Sequence, residues 1–194
     1  MASFNGHQHW KHVVSTFSRI QTALERVTFP HVCMKPMQVN CWENILMGND
    51  LVVVLPTGYG KSFIFQLLPF LLPVKSSRNI VIVAAPLTSI IQDQMLILSR
   101  RNIVSMVFHS SCIAEEMPRL FITEGTKQKH SDTENTAGGV SVDQNVLAQG
   151  KMDILFGHPE GLLSEDGRRL LSSPVFKENV VAMVVDEAHC VVTW

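Results

Sequence analysis

The chain has 194 residues, 46% hydrophobic and 17% charged, with a formal net charge of −1 and a mean hydropathy of +0.17, which suits one domain with a buried core and excludes a disordered chain. The near-neutral charge also excludes a domain that grips duplex DNA by broad phosphate neutralisation, so any nucleic-acid contact would be local or assisted. No apolar run is long enough to span a bilayer and "MASFNGHQHW" lacks the basic head and apolar stretch of a secretory signal, so no membrane partner is expected.

Residues 10–28 have helical periodicity: Val13, Phe17, Ile20, Leu24 and Val27 recur at steps of four and three and share a face. Two heptads are too few to favour a coiled-coil seam over packing on a core. This segment, 1–28, is read as an N-terminal helical extension. Pro36 to Met47 predicts a second helix, with proline in the first turn and Gly48 as the stop. Leu51 to Leu55, "LVVVL", is apolar on both parities and predicts a strand covered on both faces, as in parallel sheets. A helix follows from Ser62 to Leu72. Asn79–Ala84 predicts a strand, Thr88–Arg101 a helix and Ile103–Phe108 a weaker strand. Residues 123–146 are polar and aperiodic and predict a surface insertion. Met152–Phe156 reads as a strand, Glu160–Leu171 as a helix and Val180–Val185 as a strand covered on both faces. Strand and helix in alternation imply an α/β domain. A mainly parallel sheet joined by right-handed crossovers carries helices on both faces, and ligands sit at the carboxyl ends of its strands.

The four cysteines, Cys33, Cys41, Cys112 and Cys190, include no CxxC pair. Neither a zinc site nor a disulfide framework is expected, and the thiols read as reduced and mostly buried. The eight histidines are scattered and read mostly as surface or core residues.

The run from Leu51 leads into Pro56, Thr57, Gly58, Tyr59, Gly60, Lys61 and Ser62 and then into a helix. That context is what a phosphate loop demands: small residues let the backbone wrap an anion, and the next helix adds its unpaired N–H groups. Lys61 would reach the β- and γ-phosphates, and the Ser62 hydroxyl would ligate Mg²⁺. The strict pattern asks for glycine where Leu55 stands, so the match is to the relaxed form. A glycine-rich turn before an ordinary helix is the competing reading, and the flanking elements argue against it. The last strand runs into Asp186 and Glu187. Asp186 is placed to hold the Mg²⁺ shell, and Glu187 to polarise the attacking water. A polar turn after a strand explains one carboxylate better than it explains "DEAH" in a chain that also carries a phosphate loop.

Five segments, in order, now resemble the RecQ-type DNA helicases of superfamily 2: "KPMQ" (35–38), "LPTGYGKS" (55–62), "VAAPLTSIIQDQ" (83–94), "HPE" (158–160) and "DEAHC" (186–190). The resemblance runs from about Phe29 to Trp194. It implies a three-layer RecA-like P-loop NTPase lobe over 29–194, with ATP and Mg²⁺ as cofactors and single-stranded or duplex DNA as partner. Gln38 would read adenine. The family's stacking aromatic and its arginine fall at His31 and Lys35, both departures. Ser89 and Gln92 resemble residues that hold a single-strand backbone. His158 departs from the family's usual hydroxyl residue and is assigned no DNA contact. His189 resembles the residue coupling the γ-phosphate to DNA contacts, and Trp194 the first aromatic of the loop after the acidic box. A coupling motif and a second RecA-like lobe with an arginine finger would follow, so the chain is expected to be one lobe cut after its DEAH box.

The resulting expectation is the ATP-binding motor lobe of an ATP-dependent 3′-to-5′ DNA helicase, weakly active or inactive without its second lobe. A nuclear location follows from the resemblance, with the cytoplasm as the other compartment open to it. A truncated, non-catalytic nucleotide-binding module that regulates a helicase is the alternative. An RNA-directed DEAH protein fits less well, because of the cysteine after "DEAH" and the upstream Gln38.

Overall fold

The computed structural model describes residues 6–27, 33–74, 78–109, 147 and 149–189, with side chains in the first helix from residue 16 onward. The expected insertion at 123–146, and His31, Trp194, Cys112 and Cys190, lie outside the described residues. The chain divides into two compact units, Met1–Pro73 and Val74–Trp194.

The first unit is built on three helices: α1 (Gly6–Arg26), α2 (Pro36–Leu46) and α3 (Lys61–Leu71). On α1 the buried positions are Thr16, Ile20, Ala23 and Val27. Ile20 and Val27 of the expected stripe are buried, but Phe17 is exposed and the adjacent Thr16 is buried in its stead. Helix α2 ends where expected, because Gly48 adopts the left-handed φ of 84° that a side chain disfavours. Trp42 on α2 is fully buried and donates its indole N–H to the Ile64 carbonyl on α3 at 2.9 Å. It also meets Phe63 edge-on at 5.4 Å between centroids, so the α2–α3 contact combines area burial with a directed polar bond.

Leu51–Leu55 is not a strand. It is an irregular connection in which Val52 is 94% and Val54 88% exposed. A β-branched run becomes a strand only when a neighbour completes its ladder, and among the described residues the regular elements of its own unit are helices.

The second unit holds a four-stranded parallel sheet in the order β2-β3-β1-β4. The strands are β1 (Ile80–Ala84), β2 (Ser105–Phe108), β3 (Ile154–Gly157) and β4 (Val180–Val185). Helix α4 (Thr88–Ser99) carries the chain from β1 to β2. The helix expected over Glu160–Leu171 is two helices, α5 (Pro159–Leu163) and α6 (Glu165–Leu171). Ser164 breaks it: its backbone is extended and its hydroxyl accepts the Gly167 N–H, with Glu165 and Asp166 in the new first turn. A further helix, α7 (Pro174–Asn179), begins at a Ser-Pro pair.

Ile80, Ile82 and Ala84 share one face of β1 and pack with Met106, Phe108 and Leu155 against Leu162 of α5 and Phe176 of α7. Strand β1 is buried throughout. Strand β4, expected to be covered on both faces, ends the sheet, and Met183 and Val185 are exposed. Met183 and Val185 lie two residues apart and share a face, so among the described residues one face of β4 lacks cover at its carboxyl end. The carboxyl ends of all four strands lie along one edge, so Thr88, His109, His158 and Asp186, each just past a strand, come from that edge.

Candidate functional site

In the first unit the chain turns at Pro56, with the Tyr59 N–H donating to its carbonyl at 3.2 Å. Gly58 and Gly60 take left-handed φ values of 75° and 91°. Gly60 caps α3, so the loop delivers its backbone directly onto a helix N-terminus. Residues 35–38 are stitched to this loop. The Lys35 N–H donates to the Gln38 side-chain oxygen at 2.9 Å, and Gln38 Nε2 donates to the carbonyls of Tyr59 (3.3 Å) and Gly60 (3.1 Å). Lys35 Nζ donates to the Gly58 carbonyl at 3.2 Å and lies 4.6 Å from the Tyr59 ring centroid. The Met37 N–H donates to the Tyr59 hydroxyl at 3.4 Å.

Three loop carbonyls are thereby turned toward α2. Peptides are planar and trans, so each carbonyl points opposite to the N–H of the next residue. The N–H groups of Gly60 and Lys61 therefore point away from Gln38, the orientation an anion requires. Gln38 is buried and committed to the loop backbone, a role beyond the base recognition its resemblance implied. Lys61 Nζ donates to the Leu55 carbonyl at 3.1 Å.

In the second unit the Asp186 N–H extends the ladder by donating to the Ala84 carbonyl at 2.9 Å. Glu187 follows in the left-handed region at φ 51°, and its N–H donates to Asp186 Oδ1 at 3.0 Å. The turn aims the two adjacent carboxylates differently. Glu187 Oε2 lies 3.2 Å from His189 Nδ1, with the histidine the more exposed of the two. On the same edge Thr88 Oγ1 and His158 Nε2 are hydrogen-bonded at 3.2 Å. Ser89 is exposed and Gln92 half-buried on the first turns of α4. Burial, then the neighbouring His158, hold His109 below the usual histidine range.

The structure thus brings Lys35, Gln38 and the loop 56–62 together in one unit. In the other it brings Asp186, Glu187 and His189 together, and places Ser89 and Gln92 on the same sheet edge. The Thr88–His158–His109 grouping was missed. Its signal was present in "SMVFH" and "ILFGH", two strands that each end in histidine.

The Ser62 hydroxyl and the Asp186 carboxylate are hard oxygen donors of the kind Mg²⁺ takes, and Mg²⁺ needs only one or two protein ligands beside phosphate oxygens. Among the described residues no three His, Cys, Asp or Glu side chains are grouped to hold a metal by themselves. No helix among them is long and apolar enough to cross a membrane.

Residues 35–194 match the family described as DEAD/DEAH box helicase. The chain is 30% identical over 161 residues to "ATP-dependent helicase SGS1" of Saccharomyces cerevisiae, covering 82% of this chain and 10% of that protein. It is 31% identical over 150 residues to "ATP-dependent DNA helicase RecQ" of Synechocystis, covering 77% and 25%. Against "ATP-dependent DNA helicase hus2/rqh1" of Schizosaccharomyces pombe it is 30% identical over 158 residues, covering 81% and 10%. The chain therefore spans between a tenth and a quarter of the length of these relatives.

Proposed function

Because the chain belongs to the DEAD/DEAH box helicase family, we propose that it is the ATP-binding motor lobe of a RecQ-like 3′-to-5′ DNA helicase, coupling ATP hydrolysis to strand separation. The phosphates of ATP lie over Pro56, Thr57, Gly58, Tyr59 and Gly60, held by backbone N–H groups and the α3 N-terminus. Lys61 leaves the Leu55 carbonyl for the β- and γ-phosphates. Ser62 and Asp186 would hold Mg²⁺, which would neutralise charge on the phosphate oxygens. Gln38 reads the adenine edge while its amide fixes the loop, and His31 and Lys35 flank the base. Glu187 accepts the proton of the attacking water. His189, paired with Glu187, links that carboxylate to DNA contacts made by Ser89, Gln92 and Trp194. A second RecA-like lobe supplies an arginine across the nucleotide, worth ~10³ to 10⁵ in rate in related phosphate-loop enzymes. A nuclear location and a part in DNA repair and recombination follow from the same reading.

The observation that carries this reading is the stitched loop. Gln38 and Lys35 turn three carbonyls inward, so that the N–H groups of Gly60 and Lys61 face the other way. Titrating the chain with ATP, with and without Mg²⁺, and then with single-stranded DNA, tests it. Mg²⁺-dependent ATP binding that DNA modulates is the expected result. No ATP binding with Mg²⁺ present overturns the reading.

A further inference from the structure

We propose that Tyr59 is a positioning residue for the base side of the nucleotide site. Its ring carries the Lys35 ammonium and its hydroxyl caps α2, so that residues 35–38 and the phosphate loop grip one nucleotide as a unit. The proposal rests on the reading of this loop as an ATP site and deepens it. The phosphate-loop pattern leaves position 59 open to any residue, and the phosphates need only its backbone, so the side chain is a property of this chain and not of the motif.

Three observations converge. First, Tyr59 stands between Gly58 and Gly60, whose φ values of 75° and 91° are left-handed, while Tyr59 itself lies outside that region. It is the position in the turn where a side chain meets no backbone strain. Second, α2 begins with an amide that its own cap cannot serve. Pro36 has no N–H, and the N–H groups of Gln38 and Val39 donate to the Lys35 carbonyl at 2.9 and 3.3 Å. The Met37 N–H lies in the first turn, where no intrahelical acceptor exists. The N-cap residue is Lys35, which makes no side-chain cap bond, because an ammonium offers donors alone. The Tyr59 hydroxyl takes this amide, at 3.4 Å. Third, Lys35 is exposed, yet its ammonium is held on two sides. Nζ donates to the Gly58 carbonyl at 3.2 Å and lies 4.6 Å from the Tyr59 ring centroid. A cation over an aromatic face is attracted by the ring quadrupole.

These contacts hold something different from the Gln38 clamp. Gln38 Nε2 grips the carbonyls of Tyr59 and Gly60, which aims the loop N–H groups at phosphate. Tyr59 grips the Lys35 ammonium and the Met37 amide, both in the segment assigned to the base. Removing the Tyr59 side chain leaves the clamp in place, so it loosens the base side without turning the phosphate donors. A nucleotide is held at both ends. When the two walls are fixed to each other, a docked triphosphate presents its base to a wall already in place, and the gain from the base adds in full. When Lys35 and the first turn of α2 are loose, ordering them is charged against that gain.

The test is calorimetric titration of the whole chain with Mg·ATP and with Mg·tripolyphosphate, which has the phosphates and no base. Wild type is compared with Tyr59→Phe, Tyr59→Ala, Lys35→Met and the Tyr59→Ala/Lys35→Met double variant, each checked by melting. Tyr59→Ala is expected to weaken ATP by about five- to twentyfold while tripolyphosphate affinity stays within about twofold. Tyr59→Phe keeps the ring and loses the cap, and should weaken ATP by about two- to fivefold. The double variant should lose less than the product of the single losses, because both act through one contact.

If Tyr59→Ala weakens ATP and tripolyphosphate equally, the residue only supports the loop and the proposal fails. It also fails if ATP affinity is unchanged, or if the two single losses multiply. A wild type that binds tripolyphosphate as tightly as ATP sinks the proposal and leaves the phosphate loop standing. A wild type that binds neither overturns the ATP reading as well. Tyr59 is the chain's single tyrosine, so fluorotyrosine labelling gives one fluorine resonance from this position. That resonance should shift on Lys35→Met. An unmoved resonance refutes the contact, even where Tyr59→Ala does not fold.

Discussion

Gly60→Ala tests how the phosphate loop is built. A Cβ at residue 60 would lie 2.7 Å from Gln38 Nε2, closer than real Cβ atoms come to a neighbour, on a backbone at φ +91°. Two costs follow. An L-residue held at that φ costs about 1–3 kcal/mol. The contact also forces the Gln38 amide off the Tyr59 and Gly60 carbonyls, at about 1 kcal/mol for each bond. Together the penalty is about 3–5 kcal/mol, unless the loop lets go of α2 at lower cost, in which case that release sets the ceiling. Either way the N–H groups of Gly60 and Lys61 lose their aim. Mg·ATP affinity should therefore fall by at least about a hundredfold, the equivalent of some 2.7 kcal/mol. At about 2–4 °C per kcal/mol for a chain of this size, the full penalty lowers the melting temperature by about 6–20 °C, and less if the loop releases first.

The assay is ATP titration beside thermal melting, for Gly60→Ala, Gln38→Ala and the double variant. Removing the Gln38 side chain relieves the steric part but not the backbone strain, so the double variant should be less impaired than the sum of the singles, by about 1–2 kcal/mol. Strict additivity would show that the two residues do not meet, and wild-type ATP affinity in Gly60→Ala would refute the loop geometry itself.

Three further outcomes are expected. Lys61→Ala should abolish ATP binding while shifting the melting temperature by no more than about 2–4 °C, because its bond to the Leu55 carbonyl is worth about 1 kcal/mol; a collapsed melt with ATP affinity intact would reverse the assignment. Glu187→Gln should keep ATP binding and lose ~10² to 10⁴ in hydrolysis in a protein carrying both lobes, read by single-turnover kinetics, and unchanged turnover would remove Glu187 as the base. Asp153 bonds the Val104 N–H at 2.9 Å and pairs with Arg78 at 3.2 Å, yet burial outweighs both and raises its pKa. A raised folded-state pKa gives stability that is complete below the ordinary carboxylate value, near 3.9, and is lost as pH rises through the folded value. Asp153→Asn should flatten that part of the pH–melting curve, and parallel wild-type and variant curves would contradict it.

What was legible in the sequence depended on which physical property carried the signal. Helix ends were readable where one residue type decides them, as with Pro36 and Gly48 around α2. Ser164 offered the same kind of signal, a serine followed by two acidic residues, but a longer apolar period masked it and two helices read as one. The phosphate loop was legible as a motif, because its glycines answer a backbone requirement. The commitment of Gln38 to that loop was not, since an amide's partners depend on the folded path of residues 35–60. Phe17 illustrates a finer loss. Periodicity identifies a buried stripe, but whether Phe17 or the adjacent Thr16 faces inward is a rotation of one position, and the neighbouring helix chooses.

The strand expected at residues 51–55 failed for a reason that side chains do not report. "LVVVL" and "IVIVA" are equally apolar and equally β-branched, yet β1 is paired on both sides and fully buried, while residues 51–55 form no strand. Side-chain alternation reports which faces are covered. Ladder pairing satisfies main-chain N–H and C=O groups that every residue carries alike, so the side chains say little about whether a strand has neighbours at its edges. Strand β4 shows the intermediate case, apolar throughout but paired only with β1 among the described strands. The chemistry at the strand ends escapes this ambiguity. Asp186, His158 and His109 are placed by the direction and register of strands that do pair, so this edge is better determined than the extent of the sheet behind it.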